Sequence, residues 1–332
     1  MSDYQNIGVI GGGAWGTALA QTLAVAGRDV TLWAFEADCV EAINKTHENT
    51  IYLPGVTLNE HIRATTEIAT LGNMDAVLSV APAQHTRKIL ESFAPHVKDA
   101  MPIVLCSKGI EISSGKFMSQ VLEDVMPQAI PAVLAGPSFA IDVAKGMPAA
   151  VTLACEDKAA AEKLLSAVAA PTFRPYLAED VLGAEIGGAV KNVLAIVCGI
   201  VLGKELGRSA HAAIIARGFA EMTRLGTALG CNPETLTGLC GLGDLVLTCS
   251  SEQSRNMSCG LALGRGQSLN DIMANRNSVT EGVATAPVLK DMAKRLGVDM
   301  PICTAMADIL SGELNVDTAI TALLSREHKP EG

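Results

Sequence analysis

Short apolar runs alternate with helical stretches through the first half of the chain. A run at residues 7–10 is followed by an alanine-rich stretch at 17–26 and, after Gly27, by a second run at 30–33. This order predicts a strand–helix–strand unit. Further short runs continue the alternation at 76–80, 103–106, 132–134, 149–154 and 173–176. We therefore expect an α/β fold with a doubly wound, mostly parallel sheet over residues 1–180.

The pattern changes after about Asp180. Apolar positions then recur at helical spacing, and the strand-like runs stop. The helical stretches are 181–202, 211–229, 271–275, 286–295 and 304–311, with breaks at Gly203, Gly207, Gly230 and Pro233. A chain of 332 residues is long enough for two domains. The sequence therefore predicts a sheet domain at 1–180 and an all-helical C-terminal domain at 181–332.

Three glycines stand on the turn between the first predicted strand and helix. Gly11, Gly13 and Gly16 spell G-x-G-x-x-G in the structural context that the motif requires. The first permits a tight turn, the second lets the backbone approach a pyrophosphate, and the third lets the helix pack close to the strand. The helix N-terminus adds N–H groups and a positive dipole end. The motif predicts a dinucleotide site; the alternative is a glycine-rich turn that binds nothing.

Charge and cysteine content narrow the class of protein. The formal net charge of −10 argues against a general attraction to nucleic acid or to anionic membrane, so a phosphorylated substrate needs a local basic cluster. The apolar stretches 4–27 and 181–203 are not expected to span a membrane, because the first changes from strand to helix pattern and the second contains Glu185 and Lys191. Nine cysteines without a C-x-x-C pair suit a reducing compartment. We expect a soluble, cytoplasmic protein with no metal site.

Lys191 is the candidate for acid–base chemistry. Its neighbours from 183 to 195 are mostly small or apolar, and a lysine there costs free energy unless it is paired or used. Glu185, six residues earlier, does not share a simple i, i+4 face with it. Desolvation lowers the pKa of a lysine and lets it exchange protons near neutral pH. The alternative is a lysine whose ammonium reaches solvent at a domain junction.

Loops after the predicted strands contain further candidates. The segments 80–82, 106–109 and 135–138 follow strands, and ligands of such folds bind at the carboxyl ends of strands, so these loops should converge near the nicotinamide. Lys108, in the second loop, places a cation there unless it is an ordinary exposed lysine.

Two polar segments of the second half are also candidates. Asp244 and Thr248 would point the same way if a helix begins at Asp244, which could equally be an N-cap. Arg255, between Ser254 and Asn256, suits bidentate capture of a phosphate. The alternative for this last segment is a solvated turn before a helix.

These segments together resemble the bacterial NAD(P)-dependent glycerol-3-phosphate dehydrogenases over essentially the whole chain. The matching segments are Gly11–Gly16, Ser107–Gly109, Ala135–Ala140, Glu185–Asn192, Gly241–Asp244, Ser254–Asn256 and Glu281–Gly282. The resemblance implies a Rossmann-type domain followed by a six-phosphogluconate-dehydrogenase-like helical domain, commonly in a homodimer. The implied activity is reduction of dihydroxyacetone phosphate to sn-glycerol 3-phosphate, the backbone for phospholipid synthesis.

The resemblance also implies roles for individual residues. Lys191 would be the proton donor or acceptor. The residues expected around substrate are Lys108, Gly136, Ser138, Asn192, Asp244, Thr248, Ser254, Arg255 and Asn256. The residues expected near NAD or NADP are Gly11, Gly13, Ala14, Trp15, Gly16, Phe35, Lys108, Ala140, Arg255, Val279 and Glu281.

One segment departs from the family pattern. Family members often have Arg or His just after the second strand, where the adenosine ribose or its 2′-phosphate lies, whereas this chain has Phe35 and Glu36. A carboxylate near this position favours the ribose hydroxyls of NAD and repels the extra phosphate of NADP. The alternatives are a Glu36 that points to solvent, or an Arg28 or Lys45 that turns back toward the phosphate.

Two other functions stay open on the sequence. A related β-hydroxyacid-type dehydrogenase, acting on a carboxylate or a CoA substrate, would have the same two-domain plan. A catalytically silent dinucleotide sensor would bind cofactor without needing Lys191, Lys108 and Arg255 together. Inhibition by phosphate analogues distinguishes the first, and hydride transfer to dihydroxyacetone phosphate distinguishes the second.

Overall fold

The computed structural model describes residues 4–274 and 279–327. Contacts group the chain into two compact units, Met1–Gly188 with Glu234–Asp244, and Ala189–Pro233 with Leu245–Gly332. This grouping differs in detail from a division after residue 180. Residues 181–188 and 234–244 pack with the sheet, since Val181, Ala184 and Cys240 belong to one of its apolar cores.

The first unit is built from eight strands and the helices between them. The strands are β1 (Asn6–Ile10), β2 (Asp29–Trp33), β3 (Ile62–Thr65), β4 (Ala76–Ser79), β5 (Pro102–Leu105), β6 (Ile130–Ala135), β7 (Ala149–Cys155) and β8 (Phe173–Ala178). The α-helices are α1 (Ala14–Val25), α2 (Ala37–Thr46), α3 (Ala83–Phe93), α4 (Met118–Val125), α5 (Ala140–Ala144) and α6 (Lys158–Val168). Short 3₁₀ turns occupy Ile68–Asn73 and Ala94–His96.

All eight strands form one sheet in the order β3-β2-β1-β4-β5-β6-β7-β8. Neighbouring strands are parallel except β6 and β7. The strand order reverses between β1 and β4, which is the point where doubly wound sheets bind their ligands. The predicted doubly wound, mostly parallel sheet is therefore confirmed, and the glycine loop after β1 lies at this reversal.

Apolar side chains cover both faces of the sheet, because alternate residues of a strand point to opposite faces. Ala76, Leu78 and Val104 contribute to one core, whereas Val77 and Ile103 contribute to the other. This burial on both faces explains why the strands are short continuous apolar runs rather than alternating ones.

Helices make up the chain after β8, and no strand follows it among the described residues. They are α7 (Val181–Gly203), α8 (Arg208–Ala228), α9 (Pro233–Thr237), α10 (Asp244–Ser250), α11 (Arg255–Gly264), α12 (Leu269–Ala274), α13 (Glu281–Leu296), α14 (Pro301–Ser311) and α15 (Val316–Leu324). A π-helical turn, Leu239–Gly243, leads directly into α10. The predicted helical second half is confirmed; Asn275, the predicted end of one stretch, lies outside the described residues.

Within the second unit, α7 and α11 touch backbone to backbone. A Cβ atom on Gly260 would lie 1.8 Å from the carbonyl oxygen of Ile196, and one on Gly199 would lie 2.1 Å from that of Met257. Only glycine permits this approach. The crossing fixes the N-terminal end of α11 relative to the part of α7 that contains Lys191.

Helix α7 is long and apolar enough to cross a membrane by length and composition alone. However, 83% of its apolar window is buried inside the protein. A helix that is apolar all round and buried is what the core of a large soluble protein contains.

Candidate active site

The glycine loop leaves the N-terminus of α1 open to a ligand. Gly11 has a φ of +116°, and a Cβ on Gly16 would lie 1.9 Å from the Gly11 carbonyl oxygen, so neither position tolerates a side chain. Gly13 is the N-cap and has no side chain that could accept from the first N–H groups of α1. A Cβ atom there would meet nothing within 4 Å. The indole nitrogen of Trp15 is buried without a hydrogen-bond partner among the described residues. These features fit the phosphates of a dinucleotide.

The end of β2 presents an aromatic ring and a carboxylate. Phe35 is 82% exposed, and the Tyr52 hydroxyl donates a 2.8 Å hydrogen bond to Glu36. This bond raises the pKa of the Tyr52 hydroxyl. Arg28 instead contacts Gln5 and the Ser166 carbonyl oxygen, and Lys45 pairs with Glu41. In this structure, therefore, Glu36 bonds to a tyrosine, and Arg28 and Lys45 bond to other groups rather than turning toward the end of β2.

The three strand-end loops lie together, and their position beside a nicotinamide stays a prediction. Ser107 donates to the carbonyl oxygen of Ala81 at 2.6 Å, which ties the loop after β5 to the loop after β4. Lys108 Nζ donates to the carbonyl oxygen of Gly136 at 3.2 Å, which ties the same loop to the one after β6. Ser138 donates to that carbonyl as well, at 3.0 Å. The carboxyl ends of three neighbouring strands thus form one polar surface.

Lys108 forms a shielded ion pair with Asp244. The two atoms are 2.8 Å apart, and the side chains are 18% and 1% exposed respectively. The stem of Lys108 packs against Gly188, where a Cβ would lie 3.3 Å from the lysine Cγ. Asp244 is the first residue of α10, reached directly from the π-helical turn. Lys108 is therefore not an ordinary exposed loop lysine.

Lys191 and Thr248 are joined in the second unit. Both side chains are buried, 5% exposed each, and Lys191 Nζ donates to Thr248 Oγ1 at 2.9 Å. A buried ammonium requires such hydrogen-bond partners, because burial of an unpaired charge is costly. The structure thus contradicts the alternative of a lysine that extends to solvent.

An asparagine pair links three helices of the second unit. Asn256 donates to Asn192 Oδ1 and accepts from the backbone N–H of Gly282, both at 2.9 Å. This network joins α7, α11 and the start of α13. Ser254 caps α11 by accepting from the Met257 N–H. Arg255, exposed, is the first residue of that helix, so a cation stands at a helix N-terminus.

The other predicted cofactor residues lie at element ends. Ala14 begins α1, Ala140 begins α5 and Glu281 begins α13. Val279 is 40% exposed and precedes α13. Their contacts with a nucleotide stay a prediction.

Glu185 is a buried carboxyl to which the sequence reasoning gave no role of its own, since it does not share a simple helix face with Lys191. It accepts instead from the backbone N–H and the hydroxyl of Ser119, at the N-terminus of α4. Burial raises its pKa to about 7 despite these bonds. The folded protein therefore holds a proton on Glu185 more tightly than the unfolded chain does.

A pH dependence of stability follows from Glu185. The stabilisation is fully present below about pH 4.5, the ordinary value, and is lost as the pH rises through about 7. We expect the free energy of unfolding of the wild type to fall between about pH 4.5 and about pH 7 relative to that of Glu185→Gln, and to stay level above that range. Urea unfolding of both proteins at several pH values measures this, with Glu123→Gln, at an exposed position of α4, as the control. A difference between wild type and Glu185→Gln that does not change with pH contradicts the expectation.

Sequence reasoning gave no role to Tyr52, which bonds to Glu36, or to Asn49, which bonds to the glycine loop. Both lie in the connection between α2 and β3, where no periodicity marks them. Asn49 is completely buried, and an asparagine in the turn-like segment 47–55 gives no sign of that.

Comparison with known proteins identifies the family. Residues 6–161 match the family described as the NAD-dependent glycerol-3-phosphate dehydrogenase N-terminus, and residues 180–321 match the C-terminus of the same family. A glycerol-3-phosphate dehydrogenase [NAD(P)+] of Maricaulis maris is 66% identical over 98% of both chains. One of Hyphomonas neptunium is 62% identical over 99% of this chain and 98% of its own.

A solved structure agrees with these relatives. The crystal structure of glycerol-3-phosphate dehydrogenase from Coxiella burnetii has a TM-score of 0.93 and 35% identity, and the match covers 97% of this chain and 99% of that one. The resemblance drawn from the motifs is therefore confirmed over nearly the whole length. This chain belongs to the family of NAD-dependent glycerol-3-phosphate dehydrogenases.

Proposed function

We propose that this protein catalyses the NAD(P)H-dependent, reversible reduction of dihydroxyacetone phosphate to sn-glycerol 3-phosphate, which supplies glycerophospholipid synthesis. Relatives 62% and 66% identical over almost the whole chain have this activity in their names. The structural observation that supports the chemistry best is Lys191, which is buried on the mostly apolar helix α7 and bonded to Thr248 of α10. A dinucleotide sensor would have no need of this costly arrangement.

The glycine loop and the N-terminus of α1 would hold the pyrophosphate of NAD or NADP. Its open N-cap and the indole N–H of Trp15 offer donors to phosphate oxygens. When bound, the nicotinamide supplies the hydride that reduces the ketone carbon. The converging loops with Lys108, Gly136 and Ser138 provide a polar surface at the carboxyl ends of the strands, where this part of the cofactor is expected.

Lys191 would act as the general acid. Negative charge grows on the ketone oxygen during reduction, and the Lys191 ammonium can stabilise it and donate a proton to it. The resulting neutral amine takes the proton back from solvent, or from the alcohol in the reverse direction. Thr248 holds Nζ in a defined position, and Asp244 orients Lys108 by the ion pair.

The N-terminus of α11 would bind the phosphate of the substrate. Arg255 provides a planar cation, and the first N–H groups of the helix provide further donors. The Asn192–Asn256–Gly282 network fixes this end of the helix. A phosphate bound here would hold the carbonyl in one orientation, and positioning of this kind lowers the barrier to reaction.

The test is an assay of the purified protein with NADH or NADPH and dihydroxyacetone phosphate, followed by loss of the absorbance of reduced nicotinamide. Turnover with this substrate, and none with 2-keto acids or CoA esters, is expected. Cofactor binding without turnover of any of these substrates would instead indicate a sensor, and turnover of a keto acid alone a related dehydrogenase.

The proposal also includes the oligomeric state and the cellular location of the protein. We expect a homodimer in the cytoplasm, without membrane insertion and without affinity for nucleic acid. All nine cysteines are free and buried, which suits a reducing compartment. The net charge of −10 disfavours polyanionic partners.

Cofactor choice gives a further prediction. We expect both cofactors to work, with NADH at least as efficient as NADPH, because Glu36 repels a 2′-phosphate. Phe35→Arg should shift the ratio of kcat/KM values toward NADPH, since a guanidinium can stack on adenine and pair with the phosphate. Phe35→Leu is the control that removes the ring without adding charge. A wild type that prefers NADPH by about tenfold, ~1.4 kcal/mol, contradicts the argument from Glu36.

A further inference from the structure

Asn49 is a fully buried side chain whose polar atoms all bond within the first unit. Its Nδ2 donates to the carbonyl oxygen of Gly12 at 2.7 Å and to Thr17 Oγ1 at 2.8 Å. Its Oδ1 accepts from the backbone N–H of Tyr52 at 3.0 Å. The side chain is 0% exposed. A buried amide whose nitrogen and oxygen are both hydrogen-bonded holds its neighbours in one arrangement.

The peptide between Gly12 and Gly13 is what Asn49 arranges. Three consecutive glycines, 11–13, have more backbone freedom than any other residue type. In a planar trans peptide the C=O and N–H groups point in opposite directions. Fixing the Gly12 carbonyl on Asn49 therefore directs the Gly13 N–H away from Asn49. Gly13 is exposed, and a Cβ atom there would meet nothing within 4 Å.

Packing supports the same orientation. A Cβ on Gly12 would lie 2.6 Å from the Cβ of Ala34, so this side of the loop is filled by protein. Thr17 also bonds to the loop, donating its backbone N–H to the Gly13 carbonyl at 2.9 Å and its hydroxyl to the Gly12 carbonyl at 3.3 Å. From outside the loop and α1, the Cys39 thiol also donates to the Gly12 carbonyl, at 3.8 Å, and Asn49 donates at 2.7 Å. Asn49 therefore makes the shorter bond that fixes the peptide orientation.

We infer that Asn49 is a positioning residue for the cofactor pyrophosphate. It holds the Gly12–Gly13 peptide with its N–H toward the ligand side of the loop and so organises the donor before the ligand binds. This inference rests on the proposed use of the loop for NAD(P). A purely structural Asn49 would instead only tie the segment 47–53 to α1, and its loss would lower stability without changing cofactor affinity.

The experiment compares Asn49→Ala with a matched control, Asn44→Ala. Asn44 also uses its amide for two backbone bonds, both 2.9 Å and both to Ala64, but it does not contact the glycine loop. The Kd for NADH is measured by nucleotide fluorescence, and the Kd for ADP-ribose by competition, alongside urea unfolding. We expect Asn49→Ala to weaken both ligands by about tenfold, ~1.4 kcal/mol, because both contain the pyrophosphate. We expect Asn44→Ala to lower stability with unchanged Kd values.

The outcomes separate this inference from the proposed function. A wild type that binds neither NADH nor NADPH overturns the proposed function. A wild type and an Asn49→Ala variant with equal Kd values overturn only the role of Asn49. An equal weakening in Asn44→Ala overturns it too, since general loosening then explains the effect. If Asn49→Ala does not fold, Asn49→Ser decides: the shorter hydroxyl side chain loses the bond to the Gly12 carbonyl, so NADH should bind about tenfold more weakly. An unchanged Kd in Asn49→Ser overturns the inference.

Discussion

Replacing Lys191 by alanine is expected to lower kcat for reduction of dihydroxyacetone phosphate by about 10²–10⁴-fold, the usual contribution of a general acid. The reason is the position of the ammonium, which is buried and bonded to Thr248. An ammonium in a shielded site stabilises the growing negative charge on the ketone oxygen more strongly than it would in water. A water molecule in its place would therefore not restore the full rate. The Kd for NADH should stay close to that of the wild type, because the glycine loop belongs to a different part of the chain.

The control for this variant is Lys204→Ala. Lys204 follows α7 directly and pairs with Asp317 at 2.6 Å, so its loss removes a lysine of the same region without touching Thr248. Single-turnover rates and NADH titrations of both variants separate chemistry from binding. Partial recovery of Lys191→Ala by added methylamine is also expected, since a small amine can occupy the vacated space. Near-wild-type turnover in Lys191→Ala would remove Lys191 from the mechanism.

Most of the strands could be predicted closely because burial on both faces makes them short apolar runs. The predicted run at 103–106, for example, is the strand β5 at Pro102–Leu105. The missed strand, β3, lies at the edge of the sheet, has four residues and exposes Arg63. An edge strand needs less apolar surface, so its sequence gives little signal.

Helix α11, which is not among the predicted helical stretches, shows how tertiary contact overrides helix propensity. Gly260 and Gly264 lower the helix propensity of this segment, by about 1 kcal/mol each relative to alanine. Both glycines are needed where α11 touches α7, since a Cβ on Gly264 would lie 2.6 Å from the Ile200 carbonyl oxygen. The sequence pattern of one segment does not show which helix that segment packs against.

The candidate site residues show the same difference between local and tertiary signals. Those on short motifs could be predicted from the sequence, because each motif indicates its own local geometry, and their roles stay a prediction. The pairing of Lys108 with Asp244 could not, since these residues are 136 positions apart and only the fold brings them together. Asn49 was missed for a similar reason, because its partner Gly12 is 37 positions away.

Replacing Arg255 by alanine should raise the KM for dihydroxyacetone phosphate far more than that for dihydroxyacetone, which lacks the phosphate. A hydrogen bond to a charged group contributes roughly 1.5–3 kcal/mol, or about 10–150-fold in kcat/KM. The chain has a net charge of −10, so a dianionic substrate is repelled except where a local cation and helix N–H groups attract it. Arg265→Ala, at the C-terminal end of the same helix, is the matched control and should leave both KM values unchanged.

The decisive quantity in Arg255→Ala is the change in KM for dihydroxyacetone phosphate divided by the change in KM for dihydroxyacetone. If Arg255 binds the phosphate, added inorganic phosphate or phosphite should improve turnover of dihydroxyacetone by the wild type, and this improvement should disappear in the variant. Because the family resemblance also places Arg255 near the cofactor, the Kd for NADH must be measured in the same variant. A loss of NADH affinity that accounts for the whole change, with equal effects on both substrates, would mean that Arg255 contacts the nucleotide alone. A selective effect on the phosphorylated substrate would instead make the N-terminus of α11 the anchor that holds the ketone in place for Lys191.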